Sequence, residues 1–549
     1  MNCAARAPSA TAVRLETRPN LLSADVQQRR NPKTKEARIF DNSNVLEGIE
    51  TQDDTRDGTD YSFNADIATK LGAGTWRLSG FYVQTDRTEE EFTQAFEVDG
   101  GARKLDEVAT QLEDIKQHNA NIVSEYTAPV GNGEIQVLGG YNVFVDDLFT
   151  TEREGDTAKE LALDNTERID TTDQDYFATL AYTARFTSFA SVKFGVDGRI
   201  KTRDFEQLIL NSDGEDETPP NGVFDIEERR VDPFIKATWN FLPGVSLETG
   251  LRYEHTDREL SGPDGLRGTS TADELNPSAH LRYSLTDTTI MRLSLARTVR
   301  RPSFDQLSPA TVEDEPVDDK ATLGNPDLQQ ETAWGVDAGF DQKIGERGIL
   351  GFNFFNREIK DKIELVGTGA ETPGCDSGTC DVLSFRNVGD ARAYGIEVDA
   401  DMPLTAVGLP NTTVFANYTW LQSEVTDPVT GRKHEFNGQP EHIYNVGFIQ
   451  AIPSWNSAFG VSYQKRGESF THDFNEIERL TYEGNLEAFW ETRLGKSTVL
   501  RFTGANLLDA EKVEYKQAFD PDLNGGKDGS EIEKEESGRL FLMTVRQAF

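Results

Sequence analysis

The chain has 549 residues and a formal charge of −39, with 95 Asp and Glu against 56 Lys and Arg, which excludes nucleic acid as a partner because phosphate binding needs clustered cations. Hydrophobic residues make up only 36% and mean hydropathy is −0.57. No run approaches the ~20 apolar residues of a membrane helix, but a barrel strand needs only roughly 9–11 with half of them polar, so spanning by strands stays open.

The opening "MNCAARAPSATAVRLETRPN" has no apolar core of the signal-peptide kind. From Tyr176 the chain then shows its governing pattern. Ala178, Leu180, Tyr182, Ala184 and Phe186 take one parity, with Thr179, Thr183 and Arg185 between them. A period of two puts one set of side chains on each face of a strand. Pro233, Ile235, Ala237, Trp239 and Phe241 repeat it, and after the break "LPG" so do Val245, Leu247, Leu251 and Tyr253. Similar pairs flank "TDTT" (Thr286–Thr289), "PSWN" (Pro453–Asn456) and "GKS" (Gly495–Ser497), as hairpins with short turns do. In "TAWGVDAGFDQKIGERGILGFNFFNREI" (Thr332–Ile359), Trp334, Val336, Ala338 and Phe340 alternate with Gly335, Asp337, Gly339 and Asp341, and "QKIGERG" is the turn.

Between hairpins the connections are long and acidic, as in "TDRTEEEFTQAFEVDGGARKLDE", "NSDGEDETPPNGVFDIEE", "HTDRELSGPDGLRGTSTADE", "SPATVEDEPVDDKATLGNPDLQQE" and "DPDLNGGKDGSEIEKEESG". Short turns alternating with long loops fit a barrel in an outer membrane, with short periplasmic turns and long outer loops. Roughly nineteen or twenty strands lie between Tyr61 and Phe549, and closure removes the edges that so large a sheet would expose. The fold class expected is therefore all-β, a large antiparallel transmembrane β-barrel of about 20–22 strands. Trp76, Trp239, Trp334 and Trp420 lie on apolar parities, with Tyr253, Tyr283 and Tyr418 near strand ends, as headgroup girdles require. Lipid is thus an expected partner.

Several segments, in order, carry a resemblance to a family. They are "LNPSAHLRYSLTDTTIMRLSLARTVRRPSFDQLSP" (Leu275–Pro309), "LGNPDLQQETAWGVDAGFD" (Leu323–Asp341), "FRNVGDARAYGIEVDA" (Phe385–Ala400), "FNGQPEHIYNVGFIQ" (Phe436–Gln450) and "FTGANLLDAEKVEY" (Phe502–Tyr515). Together they resemble the TonB-dependent outer-membrane receptors and transporters of Gram-negative bacteria. The final strand "GRLFLMTVRQAF" places Phe541, Met543, Val545 and Phe549 on one parity. It resembles the signal read by the barrel assembly machinery, although Gln547 stands where that pattern prefers an apolar residue.

The resemblance implies an outer-membrane receptor, a monomer without enzymatic activity or cofactor, that takes up a small-molecule ligand with energy supplied through TonB. Ferric siderophore is the first expectation; oligosaccharide or a cobalamin-like ligand comes next. The family's plug domain and coupling box are not recognised before Tyr61. Counting back from a twenty-second final strand makes Tyr61–Leu71 a descending fourth and Glu36–Val45 an ascending third. Residues 1–35 are then an N-terminal segment, a remnant of the first strands or of the plug junction, and residues 36–549 the barrel. The alternative is a passive outer-membrane pore or surface-binding barrel without TonB coupling.

Catalysis finds no motif, and the six histidines show no metal-ligand spacing. The run Asp213–Glu228 offers oxygens for Ca²⁺ but lacks the spacing of an EF-hand loop, so a solvated loop is the expectation. Arg297, Arg300 and Arg301 form the densest basic cluster at a strand's outer end. Such a cluster suits an anionic ferric chelate or the sugar acids of lipopolysaccharide, or else balances the acidic loops around it. Of the three cysteines, Cys375 and Cys380 share the Gly-rich "TPGCDSGTCDV" and are expected to close a local disulfide in an oxidising compartment, two unpaired thiols being the other state.

Overall fold

The computed structural model describes residues 10–17, 20–218, 221–309, 311–315, 320–373, 379–495 and 497–547. Strand dominates them, as the period of two requires. The first half runs β1 Ala10–Thr17, β2 Asn20–Asp41, β3 Leu46–Leu71, β4 Gly74–Asp99, β5 Ala102–Val130, β6 Gly133–Gly155, β7 Ala162–Thr187, β8 Ala190–Asn211 and β9 Val223–Leu242. Next come β10 Val245–Ser261, β11 Arg267–Ser284, β12 Thr289–Arg300, the one-turn helix α1 Phe304–Leu307, β13 Thr311–Glu315, β14 Lys320–Leu323, β15 Glu331–Ile344, β16 Gly348–Pro373 and β17 Thr379–Pro403. The remainder is β18 Thr412–Thr426, β19 Lys433–His434, β20 His442–Ile452, β21 Ser457–Arg466, β22 Ser469–His472, β23 Glu476–Tyr482, β24 Asn485–Leu494, β25 Thr498–Ala505, β26 Glu511–Asp520, β27 Gly526–Glu536 and β28 Leu540–Gln547.

Antiparallel ladders join each strand from β1 to β12 to its successor. The wall then passes from β12 to β15, through β16, β17, β18, β20, β21, β24 and β25 to β28. Four wall strands are broken in two: β21–β22, β23–β24, β25–β26 and β27–β28. Asn506 sets one break in the left-handed region (φ 50), where its side chain accepts from Ala510 N and donates to the Gly538 carbonyl. Closure comes where β2 meets β27, from Thr34↔Glu536 to Asp41↔Gly529. The result is a wall of twenty strands whose ends join beyond the apolar band, with β1 as a short addition beside β2 below that junction.

The two faces of the wall separate as the alternation predicts. On β15, Trp334 and Val336 are exposed outward while Gly335 is buried. Across β12–β15 the outward pairs Met291↔Phe340, Leu293↔Ala338 and Leu295↔Val336 form an apolar band. Inside, Asp337 accepts from Arg357 at 2.8 Å and Asp341 from Arg292 at 2.5 Å. "QKIGERG" is the expected turn, with Gly345 at φ 63.

The long excursions are present, but several are paired strand where loop was expected. Residues 85–107 complete β4 and begin β5, turning tightly at Gly100 and Gly101 with φ of 57 and 86. The 26 residues of β4 and 29 of β5 far exceed the roughly 9–11 needed to span lipid. On β3 the outward parity changes from Leu71, Phe63 and Tyr61 to Asp57, Thr55 and Asp53. The ladder therefore continues beyond the apolar band as a polar hairpin, which carries no apolar period to mark it. In the run Asp213–Glu228, the portion from Val223 belongs to β9, and Phe224 and Ile226 are buried within the wall's inner face. The start of β2 at Asn20 carries regular strand across the boundary set at residue 35.

An arginine in the apolar band tests which face meets lipid. Leu293→Arg should cost about 2–4 kcal/mol of stability in lipid, whereas Ser294→Arg on the inner parity should cost about 1 kcal/mol through its lost bond to His280. Urea unfolding in vesicles, followed by Trp fluorescence, reads both; equal losses would overturn the facing.

Candidate functional site

The three arginines singled out by sequence lie on the inner wall or at its outer end, each answered by carboxylate. Arg297 shares the parity of the outward Leu293 and Leu295, yet the β11–β12 ladder ends at Ser278↔Ala296, and its guanidinium turns in there. It meets Glu274 at 2.5 Å and donates to Asn276 Oδ1 at 3.0 Å. Asn276 in turn donates to Glu254 at 2.9 Å, and Glu254 also receives Arg301. Arg300 points to the other side and meets Glu331 at 2.7 Å.

These contacts belong to a longer chain of alternating charge. Arg230 lies between Glu254 (3.6 Å) and Asp232 (2.7 Å); Arg252 joins Asp232 (2.9 Å) to Asp197 (2.7 Å). Buried charges persist only when paired, and along β8 to β12 each has an ion-pair partner, although Arg230 Nε, Asp232 Oδ1 and Arg258 Nε are left without a hydrogen bond of their own.

Across this wall folds the connection between β12 and β15, which forms an inner strap. Ser303 caps α1 by accepting from Gln306 N at 3.2 Å, and the Gln306 side chain accepts from Ser303 N at 3.1 Å. That capping box is legible in "PSFDQL". Leu307 and Leu328 bury into a cluster with Phe224, Ile226, Leu260 and Ile363, contributing roughly 2–3 kcal/mol each. Asp305 adds an ion pair to Arg203, itself held by Asp173 at 2.7 Å through two parallel bonds.

Three of the quoted segments meet where the strap ends. Gly324 packs against α1, where a Cβ would come within 2.3 Å of the Ser308 carbonyl oxygen, so only glycine fits. Asn325 N donates to Gln306 O at 2.7 Å, and its side chain donates to Phe385 O at 2.8 Å. Asn387 accepts from Gln329 N at 2.9 Å and donates to Gln329 O at 3.0 Å and Asp361 O at 2.8 Å. Bulges in the β16–β17 ladder, with Asp361 at φ 57 and Gly389 at φ 115, free the backbone groups that these side chains satisfy. Glu331 closes the knot. It accepts from Ile363 N at 2.8 Å and Arg300 at 2.7 Å, with Lys362 at 3.6 Å.

Two further groups were not legible in the sequence. His434 on β19 and His472 at the end of β22 pack with ring centroids 4.4 Å apart, and His434 Nε2 lies 4.0 Å from Asp427. Burial, with His434 beside it, holds the His472 imidazole below its usual range. Among the described residues no group of three or more His, Cys, Asp or Glu is arranged to hold a metal ion. The expected assembly signal places Phe541, Met543 and Val545 on the outward face of β28, 70%, 64% and 59% exposed. Phe549, Cys375 and the side chain of Cys380 lie outside the described residues, and with them the disulfide expectation.

The knot yields a direct expectation. Asn387→Ala removes three hydrogen bonds and should cost about 2–3 kcal/mol locally, releasing the strap. Limited proteolysis should cut within residues 301–330 faster, while the barrel keeps its heat-modifiable mobility; unchanged cleavage would show that Asn387 does not hold the strap.

Comparison with known proteins follows the same line. Over 182 residues the chain is 24% identical to the ferric enterobactin receptor of Pseudomonas aeruginosa, covering 31% of this chain and 22% of that protein. Over 164 residues it is 26% identical to the iron-regulated outer membrane virulence protein of Vibrio cholerae, covering 28% and 24%. The chain thus aligns with less than a quarter of either curated relative's length. In fold it is similar to the unliganded ferric citrate transporter FecA (TM-score 0.56, 10% identity, 93% of this chain and 78% of that one). The siderophore receptor PiuA from Acinetobacter baumannii (0.54, 11%, 94% and 86%) and the copper transporter OprC (0.56, 12%, 93% and 80%) are alike in the same way. The family model described as TonB dependent receptor-like, beta-barrel, matches residues 16–507, and the chain therefore belongs to the TonB-dependent receptor β-barrel family.

Proposed function

We propose that this chain forms the barrel of a Gram-negative outer-membrane receptor that imports a scarce nutrient, a ferric siderophore before an oligosaccharide or cobalamin-like ligand, with energy coupled through TonB. The observation that carries the reading is the strap knot. Three segments that resemble the family converge there on the inner wall of a barrel that belongs to that family. Both curated relatives bear iron in their names, which favours the iron chelate.

Within this reading Arg300 is the arginine best suited to an anionic chelate. Its side chain is 56% exposed, and its partner Glu331 stays satisfied by Lys362 and Ile363 N when the guanidinium swings away. Arg297 and Arg301 lack that freedom, since Arg297 is held by both Glu274 and Asn276 and Arg301 by Glu254, which the wall shares.

Uptake of radiolabelled ferric chelates by cells with and without the gene tests the proposal. Loss of uptake of one chelate, and its loss in the intact strain when the proton gradient is collapsed, is the expected result. Uptake unchanged across iron chelates, oligosaccharides and cobalamin would sink it, and gradient-independent uptake would identify a passive pore instead. Arg300→Ala should weaken binding of the transported chelate roughly tenfold, the effect of losing one charge-assisted hydrogen bond of ~1.5–3 kcal/mol.

A further inference from the structure

The inner wall is electrically two-sided. From β8 to β12 its charges pair off, but on β3, β4 and β5, beyond the apolar band, carboxylates gather in excess. On β3 the inward parity carries Asp54 and Arg56, opposite Glu91 and Glu89 on β4; Glu89 in turn stands opposite Glu113 on β5. Directly opposed residues have Cβ atoms about 5 Å apart, so the four carboxylates form one patch.

Three cations, Arg56, Arg87 and Lys35, stand against its four carboxylates, Lys35 acting on Glu91 from beyond ion-pair distance. Arg56 meets Glu89 at 2.9 Å and Asp54 Oδ2 at 3.3 Å, and Arg87 meets Glu89 at 2.8 Å. Glu91 receives only the neutral amide of Gln52, and among the described residues no cation lies within ion-pair distance of Glu91 or Glu113. Lys33, opposite Asp54, is committed to Glu535 at 3.1 Å. Asp54 itself is 1% exposed, and its buried Oδ1 has no hydrogen-bond partner. A desolvated carboxylate oxygen without a donor is costly. Asp232 Oδ1 on the paired arc also lacks one, but two arginines, Arg230 and Arg252, reach its Oδ2, whereas Asp54 has Arg56 alone at 3.3 Å, so at Asp54 the gap points to a donor supplied from outside the chain.

That donor is not a compact metal ion, because no three of these groups are arranged to hold one. Carboxylates spaced across three strands suit several N–H donors carried along a flexible chain. We propose that the β3–β5 patch binds a small organic polyamine, a solute with two or more ammonium groups, whatever nutrient the receptor transports. Burial, ahead of repulsion from Asp54 and Glu89 and against Lys35 and Arg56, raises the Glu91 carboxyl above its usual range. Burial, with Glu89 and Glu91 and against Arg56 and Arg87, does the same for Glu113. Acidification therefore removes negative charge from this patch before it does so from ordinary carboxylates.

Isothermal titration of spermidine into the purified full chain in detergent, at low ionic strength, is the test. Saturable binding should weaken at least tenfold in Glu91→Gln/Glu113→Gln and in Asp54→Asn, and remain unchanged in Asp213→Asn on a distant loop. For the unaltered chain, which needs no variant to fold, affinity should fall between pH 7 and pH 5. Absence of saturable heat, indifference to that pH step, or equal displacement by putrescine and Ca²⁺ at matched charge would each overturn the proposal, the last by showing a diffuse field only.

Discussion

Everything in this structure depends on closing the backbone ladder. In hydrocarbon an unpaired N–H or C=O has no water to turn to, so a strand-built wall is tenable only without edges. Here the first and last strands are joined at their outer ends, from Thr34↔Glu536 to Asp41↔Gly529, and below that junction β1 covers the edge of β2. Once the ladder is closed, the side chains need supply little hydrophobicity. Alternate residues such as Leu293, Leu295 and Val336 meet lipid, and the intervening ones are free to be polar. A 36% apolar content is sufficient for such a wall, though meagre for a dry core of this size.

Freedom on the inner face brings its own constraint. Charged groups crowded together lose solvent, so they must be paired or leave an imbalance that something else answers. From Asp197 to Arg301 the wall takes the first course, Arg252 and Arg230 each bridging two carboxylates and Arg301 ending the chain on Glu254. Around Asp54 it takes the second. The same register rule produces both outcomes, because opposed residues on neighbouring strands share a face. What differs is only which residue types fall opposite one another.

That dependence on register decides what the sequence disclosed. Facing, turns and strand number followed from the period of two, which is local and needs no partner. Residues 85–107 carry no strand signal in the sequence because beyond lipid the outward residues are polar, and without an apolar partner set the alternation vanishes while the ladder persists. The strap's one-turn helix was not expected, although Ser303 and Gln306, three residues apart, carry its capping box. Its docking was not legible: Asn325 reaches Phe385 and Asn387 reaches Gln329 across about sixty residues, and only the fold fixes those distances. Arg297, Arg300 and Arg301 were visible as a cluster, but the carboxylates that claim them come from three other strands.

The knot also explains why loosely patterned segments lie where they do. Gly324, Asn325, Asn387 and Gly389 are small or amide residues at places where backbone meets backbone at close range. An apolar residue there would leave carbonyls of β16 and β17 unsatisfied in the bulge, and a larger one would push α1 off the wall. The strap is an acidic stretch fixed by cations at both ends: Arg203 receives Asp305, and Arg300 with Lys362 receives Glu331. Those cations belong to the charge-balanced arc and its neighbour β16, whereas the β3–β5 patch would repel the same carboxylates. Charge complementarity therefore selects the side of the lumen on which the strap lies, and the buried cluster of Leu307, Leu328, Phe224, Ile226, Leu260 and Ile363 holds it there.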